Sequence, residues 1–335
     1  MSEYKIGVVG GSGYIGSALV HYLSKTFTVK VLDTRPLQES LKHKGRVEYQ
    51  RCDILKHNEV EQGLRDVDLV IHTAVVQIPT INEEKKLGYK VNFVGTQNVC
   101  DIVDENPSIK GMILAGSWHV FGEKELNGVI DEEFGFRPDK VESRARLYAM
   151  SKIAQEIMVR FYDEMSKKIY GVIRMGTVLG EGMPEKTAAS IFISRGLLGK
   201  PITPYKHSMY RPMLYVDIND VCKAYNAYAM KIFKGEIHKE DNSLAHVVNL
   251  CWPKPITIIE LSHMIRDTII RFTKGRVKPE IEIIDTGEPI LHMAKNKEKT
   301  KVDISKVQQL LNLRKLVNPQ NTIERIVKSR VSPIN

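Results

Sequence analysis

The chain has 335 residues, of which 42% are hydrophobic and 27% charged, and its 49 Lys and Arg against 40 Asp and Glu give a formal net charge of +9. That balance is globular, and the length suits one sheet domain with a smaller second domain. No stretch approaches the roughly eighteen apolar residues that a membrane span needs, and the chain runs into its first apolar segment without a basic leader, so a cytoplasmic protein with no membrane partner is expected. Lysines are scattered and gather loosely only near Lys295, Lys297, Lys299 and Lys301, which reads as a solvated face, with no nucleic-acid partner. Cys52, Cys100, Cys222 and Cys251 are too far apart in sequence to suggest a zinc site or a redox pair. They read as buried thiols, and no metal is expected.

The first element is the most informative. Ile6-Gly7-Val8-Val9 reads as a strand, Gly10-Gly11-Ser12-Gly13-Tyr14-Ile15-Gly16 as a turn opening a helix, and Val29-Lys30-Val31-Leu32 as a second strand that stops on Asp33. In such a unit Gly10 makes the tight turn, Gly13 lets the backbone approach a pyrophosphate, and Gly16 lets the helix close on the strand. The free N–H groups at the helix start then receive the anion. Asp33 stands where a carboxylate accepts from the adenosine ribose hydroxyls, which favours NAD over NADP, with Arg35 two residues on as a softening influence.

Further along, Val47–Gln50, Leu69–Ile71, Met112–Leu114 and Ile169–Ile173 read as strands, and roughly 83–105 and 145–167 as helices between them. That alternation predicts an α/β fold, a Rossmann-type doubly wound parallel sheet. From about residue 176 the regularity fades. The expected division is therefore a dinucleotide-binding domain over 1–175, with re-entrant pieces near 212–230 and 246–251, and a smaller, discontinuous substrate-binding cap made mainly from 176–335.

Tyr148 and Lys152 lie four residues apart on the 145–167 helix and so share a face. A phenol with a pKa near 10 is a poor base at neutral pH, but nearby cations favour its phenolate and let it exchange a proton with a substrate hydroxyl. Ser117 follows the strand at Met112–Ala115, at the carboxyl edge of the sheet where open α/β sheets bind ligands.

Together with the glycine turn, Cys52-Asp53-Ile54-Leu55, His72-Thr73-Ala74, Asn92-Phe93-Val94-Gly95-Thr96, Ser117-Trp118-His119-Val120-Phe121-Gly122 and Arg211-Pro212-Met213-Leu214-Tyr215-Val216-Asp217, these residues make the chain closely resemble the extended short-chain dehydrogenase/reductase family, in its nucleotide-sugar epimerase and dehydratase branch. The resemblance implies a catalytic triad of Ser117, Tyr148 and Lys152. It implies NAD held by Gly10, Gly13, Tyr14, Ile15, Gly16, Asp33, Arg35, Asp53, Ile54, Ala74 and Asn92 together with Tyr148 and Lys152. It also implies a substrate met by His119, Thr177 and Arg211, with Arg211 on a diphosphate, and a homodimer packed through the two long helices.

The departures bear on the reaction. Trp118 and His119 stand where family dehydratases carry Asp-Glu and decarboxylases a Glu, so a 4-epimerase, which needs no extra acid, fits better. Thr177 replaces a usual substrate-contacting Asn, and the late segment offers His292 and Lys295 in place of a second arginine. The expected function is an NAD-dependent nucleotide-sugar epimerase. The alternative is an NAD(P)-dependent dehydrogenase or reductase of a small non-nucleotide alcohol or carbonyl.

Overall fold

The computed structural model describes residues 4–42 and 45–331. Five strands, β1 (Lys5–Val9), β2 (Thr28–Asp33), β3 (Val47–Arg51), β4 (Leu69–His72) and β5 (Gly111–Ser117), join Ile169–Met175 and Val247–Leu250 in one seven-stranded sheet. Its spatial order is Val247–Leu250, Ile169–Met175, β5, β4, β1, β2, β3, and every neighbouring pair is parallel. This is a Rossmann-type fold. Both faces are covered, so the central strands read as near-continuous apolar runs. Successive residues divide between two cores: Val8 and Ile71 pack on one side with Leu19, Val20 and Leu23 of helix α1 (Tyr14–Leu23), and Val9 and Val70 on the other with Val99, Cys100 and Val103.

The expected helix over 83–105 is broken. Short helices at Thr80–Glu83 and Lys85–Tyr89 lead into a wide π-helical turn at Lys90–Gly95, and regular α-helix resumes only over Thr96–Glu105. Asn92 sits in the wide turn. Its side chain accepts from the Val76 N–H at 2.7 Å, donates to the Val76 carbonyl at 3.1 Å and reaches the Ser151 hydroxyl at 2.9 Å. Those long-range bonds, invisible to local periodicity, fix the register there. The second long helix, Arg146–Met165, is continuous.

Val247–Leu250 returns to the main sheet beside Ile169–Met175, but Tyr215–Asp217 does not. It pairs instead with Thr177–Leu179 in a separate two-stranded sheet, which leads to a helix over Ile218–Phe233. Two other small pairings, Pro212–Met213 with Ile256–Thr257 and Gly128–Ile130 with Thr300–Val302, draw the late chain across the carboxyl edge of the main sheet. The four cysteines are buried and free.

Candidate active site

A cleft of about 1470 Å³ runs along that edge, from Asp33 and Asp53 at one end to His207 and Arg211 at the other. The glycine turn forms its floor. Gly10 has φ +83°, and a Cβ there would stand 2.5 Å from the Ala74 nitrogen; a Cβ on Gly16 would stand 2.3 Å from the Gly10 carbonyl oxygen. Neither position accepts a side chain, which is what brings α1 close against β1. Gly13 precedes α1, and no side chain caps the helix, so its first-turn N–H groups remain suited to a pyrophosphate.

Asp33 ends β2 inside the cleft. Its carboxylate accepts the Ser12 N–H at 3.0 Å and the Arg35 N–H at 2.9 Å, while the Arg35 guanidinium folds back on it at 3.4 Å. Tyr14, Ile15, Asp53, Ile54 and Ala74 line the same end. Asn92 is buried behind it and acts through Val76, another lining residue. These groups fit a dinucleotide laid across the point where the chain leaves β1 for β2 on one side and β4 lies on the other.

Ser117 and Tyr148 line the cleft, and Lys152 lies buried one helical turn after Tyr148 without reaching the cleft wall. Lys152 is buried, and its ammonium donates to the Ala115 carbonyl at 2.8 Å. Burial lowers its pKa to about 7. Burial likewise pushes the Tyr148 phenol up to about 12, against a hydrogen bond from Ser117 that pulls it down. In this arrangement the group that favours the phenolate is therefore Ser117. Lys152, expected to favour the phenolate, is instead directed at the strand carbonyl.

His119 packs against Trp118 with the rings tilted by 42° and their centroids 4.6 Å apart, and meets Tyr148 edge-on at 5.4 Å. Its backbone N–H and its Nδ1 both face the Ser117 hydroxyl, at 3.3 and 3.2 Å. Burial, the largest influence, lowers the His119 pKa to about 4, so the ring is neutral at pH 7. Thr177 accepts the Trp118 indole N–H at 3.2 Å.

The far end holds residues that the sequence reading did not single out. Glu142 is buried beside the cleft and accepts from Arg211 Nη1 at 2.6 Å and Arg144 Nε at 2.9 Å; its other oxygen lies 3.0 Å from His292 Nε2. Burial alone would raise its pKa, but His292, Arg211 and Arg144 together hold it well below the usual carboxylate range. Arg211, expected to meet a diphosphate, thus already has an internal partner, and so has His292. Lys295 is exposed and does not line the cleft. Glu123, also buried, accepts from Arg144 Nη2 at 2.5 Å and from the Glu142 N–H at 3.0 Å. Nothing in the local pattern around Glu123, Glu142 or Arg144 announces this, because the partners come from distant segments.

The model of the NAD dependent epimerase/dehydratase family matches residues 6–241. The chain belongs to that family. NAD is accordingly its cofactor, in keeping with the glycine turn and Asp33. An uncharacterized protein of Sinorhizobium fredii is 34% identical over 178 residues, covering 52% of this chain and 41% of its own length. The bovine sterol-4-alpha-carboxylate 3-dehydrogenase, decarboxylating, is 30% identical over 182 residues, covering 53% of this chain and 48% of its own. The chain thus spans less than half the length of both curated relatives in these matches. Among solved structures, the UDP-glucuronic acid 4-epimerase of Bacillus cereus superposes with a TM-score of 0.77 at 21% identity, covering 97% of this chain and 99% of that one. At that identity the likeness speaks for the fold.

Proposed function

We propose that the cleft carries out reversible oxidation of a secondary alcohol, and that the reaction is 4-epimerisation of a nucleotide sugar by transient hydride transfer. The observation that carries the reading is that Ser117, from a strand end, and Tyr148, from a helix that also buries Lys152 one turn on, line the same cleft as the glycine turn. NAD supplies the hydride acceptor when bound. Tyr148, as the phenolate that the Ser117 hydroxyl and the positive charge of bound oxidised cofactor would favour against burial, takes the hydroxyl proton and later returns it, Ser117 orients the reacting oxygen, and Lys152 would hold the cofactor ribose. Removing and returning hydride and proton at one carbon needs no second acid, and Trp118 and His119 supply none at neutral pH.

The second reading, net oxidation or reduction of a small non-nucleotide alcohol or carbonyl, is favoured by one observation: Arg211 and His292 are both engaged by Glu142. The two readings separate on purified protein given nucleotide sugars. An epimerase interconverts UDP-glucose-type substrates by NMR with no net change at 340 nm, whereas a dehydrogenase shows stoichiometric NADH. If neither a nucleotide sugar nor a free polyol is turned over, the alcohol-oxidation reading fails.

The same reading includes a second copy of the chain as partner. Met150, Ile157, Phe161 and Met165 form an exposed apolar stripe on the Arg146–Met165 helix, and Tyr89 and Val94 are exposed on the neighbouring helical segment. Two-fold packing of these helices would bury them in an isologous interface. Light scattering should give twice 38.1 kDa; a monomer at micromolar concentration rejects the interface.

A further inference from the structure

We propose that Glu142 is an internal counter-anion that competes with the substrate's anionic group for Arg211 and Arg144 and so sets how tightly the cleft holds substrate and product. The inference rests on the reading of the cleft as the substrate site.

Three cationic or hydrogen-bonding groups from separate parts of the chain converge on one carboxylate. Arg144 comes from the lead-in to the catalytic helix, Arg211 from the segment before Pro212–Met213, and His292 from the late loop, and all three lie within 3.0 Å of a Glu142 oxygen. The Arg144 guanidinium is shared with Glu123, so two buried carboxylates face two guanidiniums and the cluster is formally neutral. Without Glu142, Arg211 would be a buried, uncompensated charge, which is costly. With it, Arg211 is held in place while one of its terminal nitrogens, Nη2, has no partner among the described residues.

Glu142, Arg144 and Arg211 all line the cleft. An entering anion therefore meets an arginine already oriented but already neutralised, and it must share or displace an intramolecular partner that is always at hand. Glu142 takes Arg211 through one nitrogen only, Nη1, so a phosphate oxygen arriving at the guanidinium would compete for that bond. For an epimerase this has a direct consequence. Product carries the same anionic handle as substrate, and a competitor built into the wall weakens both and speeds release.

The test is calorimetry on the full chain with NAD, using UDP, pyrophosphate and uridine as probes. Glu142→Gln keeps the shape and removes the charge. It should tighten UDP and pyrophosphate on the order of tenfold to a hundredfold, the range of one charge-assisted bond, and leave uridine unchanged. Arg211→Gln should abolish the gain when combined with it. A residue that merely braces the loop would show the opposite, weaker binding of every probe. If Glu142→Gln does not fold, Glu142→Asp, which withdraws the carboxylate by one methylene, should show the same tightening at smaller size. Unchanged or weaker anion binding in the folded variant overturns the proposal, as does binding of neither anion to wild type or variant. If wild type binds no UDP and Glu142→Gln does, the counter-anion stands and the nucleotide-sugar reading falls.

Discussion

Most of one end of the cleft comes from the contiguous stretch Lys5 to Asp33, with Asp53, Ile54 and Ala74 added from nearby strand ends, whereas its other end joins Glu142 to His292 across 150 residues of chain. The cofactor end works by backbone: a positive-φ glycine, close packing of α1 on β1, and uncapped N–H groups. The opposite end works by side chains: two carboxylates, two arginines and a histidine in one cluster. A site made of backbone tolerates little change and leaves a fixed sequence imprint. A site made of side chains from distant segments can be rewired by single substitutions, which is how one fold serves many substrates.

The largest expected effect lies between the two ends. Tyr148→Phe should lower kcat by roughly 10² to 10⁴, the range for a lost general acid or base, with NAD affinity kept. Single-turnover kinetics beside NAD titration checks this, and near-wild-type turnover on the true substrate removes Tyr148 from the chemistry. At the cofactor end, Gly16→Ala puts a methyl 2.3 Å from the Gly10 carbonyl. Overpacking of that kind should weaken NAD by about ten- to a hundredfold, measured by fluorescence titration. An unaltered Kd would mean that the tight α1–β1 approach is not what holds the dinucleotide.

Asp33→Ala should narrow the preference for NAD over NADP, as competitive titration of the two cofactors will show. Tighter NADP binding to wild type would invert the assignment of Asp33.

Smaller effects come from the polar layer beneath the site. His72 is buried against the Thr96 hydroxyl at 3.1 Å, and burial first, then Lys152, lower its pKa to about 3. The unfolded chain takes that proton near pH 6.5, the folded one only near pH 3. Between those values the unfolded state binds more protons, so stability is present above about 6.5 and is lost as pH falls toward 3. His119, lowered to about 4, adds to the same slope. Denaturant melts between pH 7 and pH 5 should show it, and His72→Gln should make it shallower; an unchanged slope would exclude His72 as a contributor. Least of all, His119→Gln should change kcat less than tenfold, because the ring is neutral and its contact is with Ser117. A loss matching Tyr148→Phe would instead make it a proton-transfer group.

How far the chain could be read follows the same division. The alternation of strands and helices that makes a doubly wound parallel sheet, the glycine turn, Asp33 at a strand end and the Tyr148–Lys152 spacing were legible because each depends on neighbours within a turn or a strand. The break at Lys90–Gly95 was not, because Asn92 is held by Val76 and Ser151, 16 and 59 residues away. Nor was the route of Tyr215–Asp217, whose partner strand is Thr177–Leu179 outside the main sheet. The sequence by itself determined the periodicities, the turn chemistry and the spacing on one helix face, all properties of contiguous backbone. Only the tertiary structure decided that Ser117 is the group that pulls the Tyr148 phenol down, that Lys152 reaches Ala115, and that Arg211 and His292 close on Glu142. Those partners are chosen by packing in three dimensions, where side chains must satisfy buried charge and hydrogen bonds with whatever the fold brings within about 3 Å.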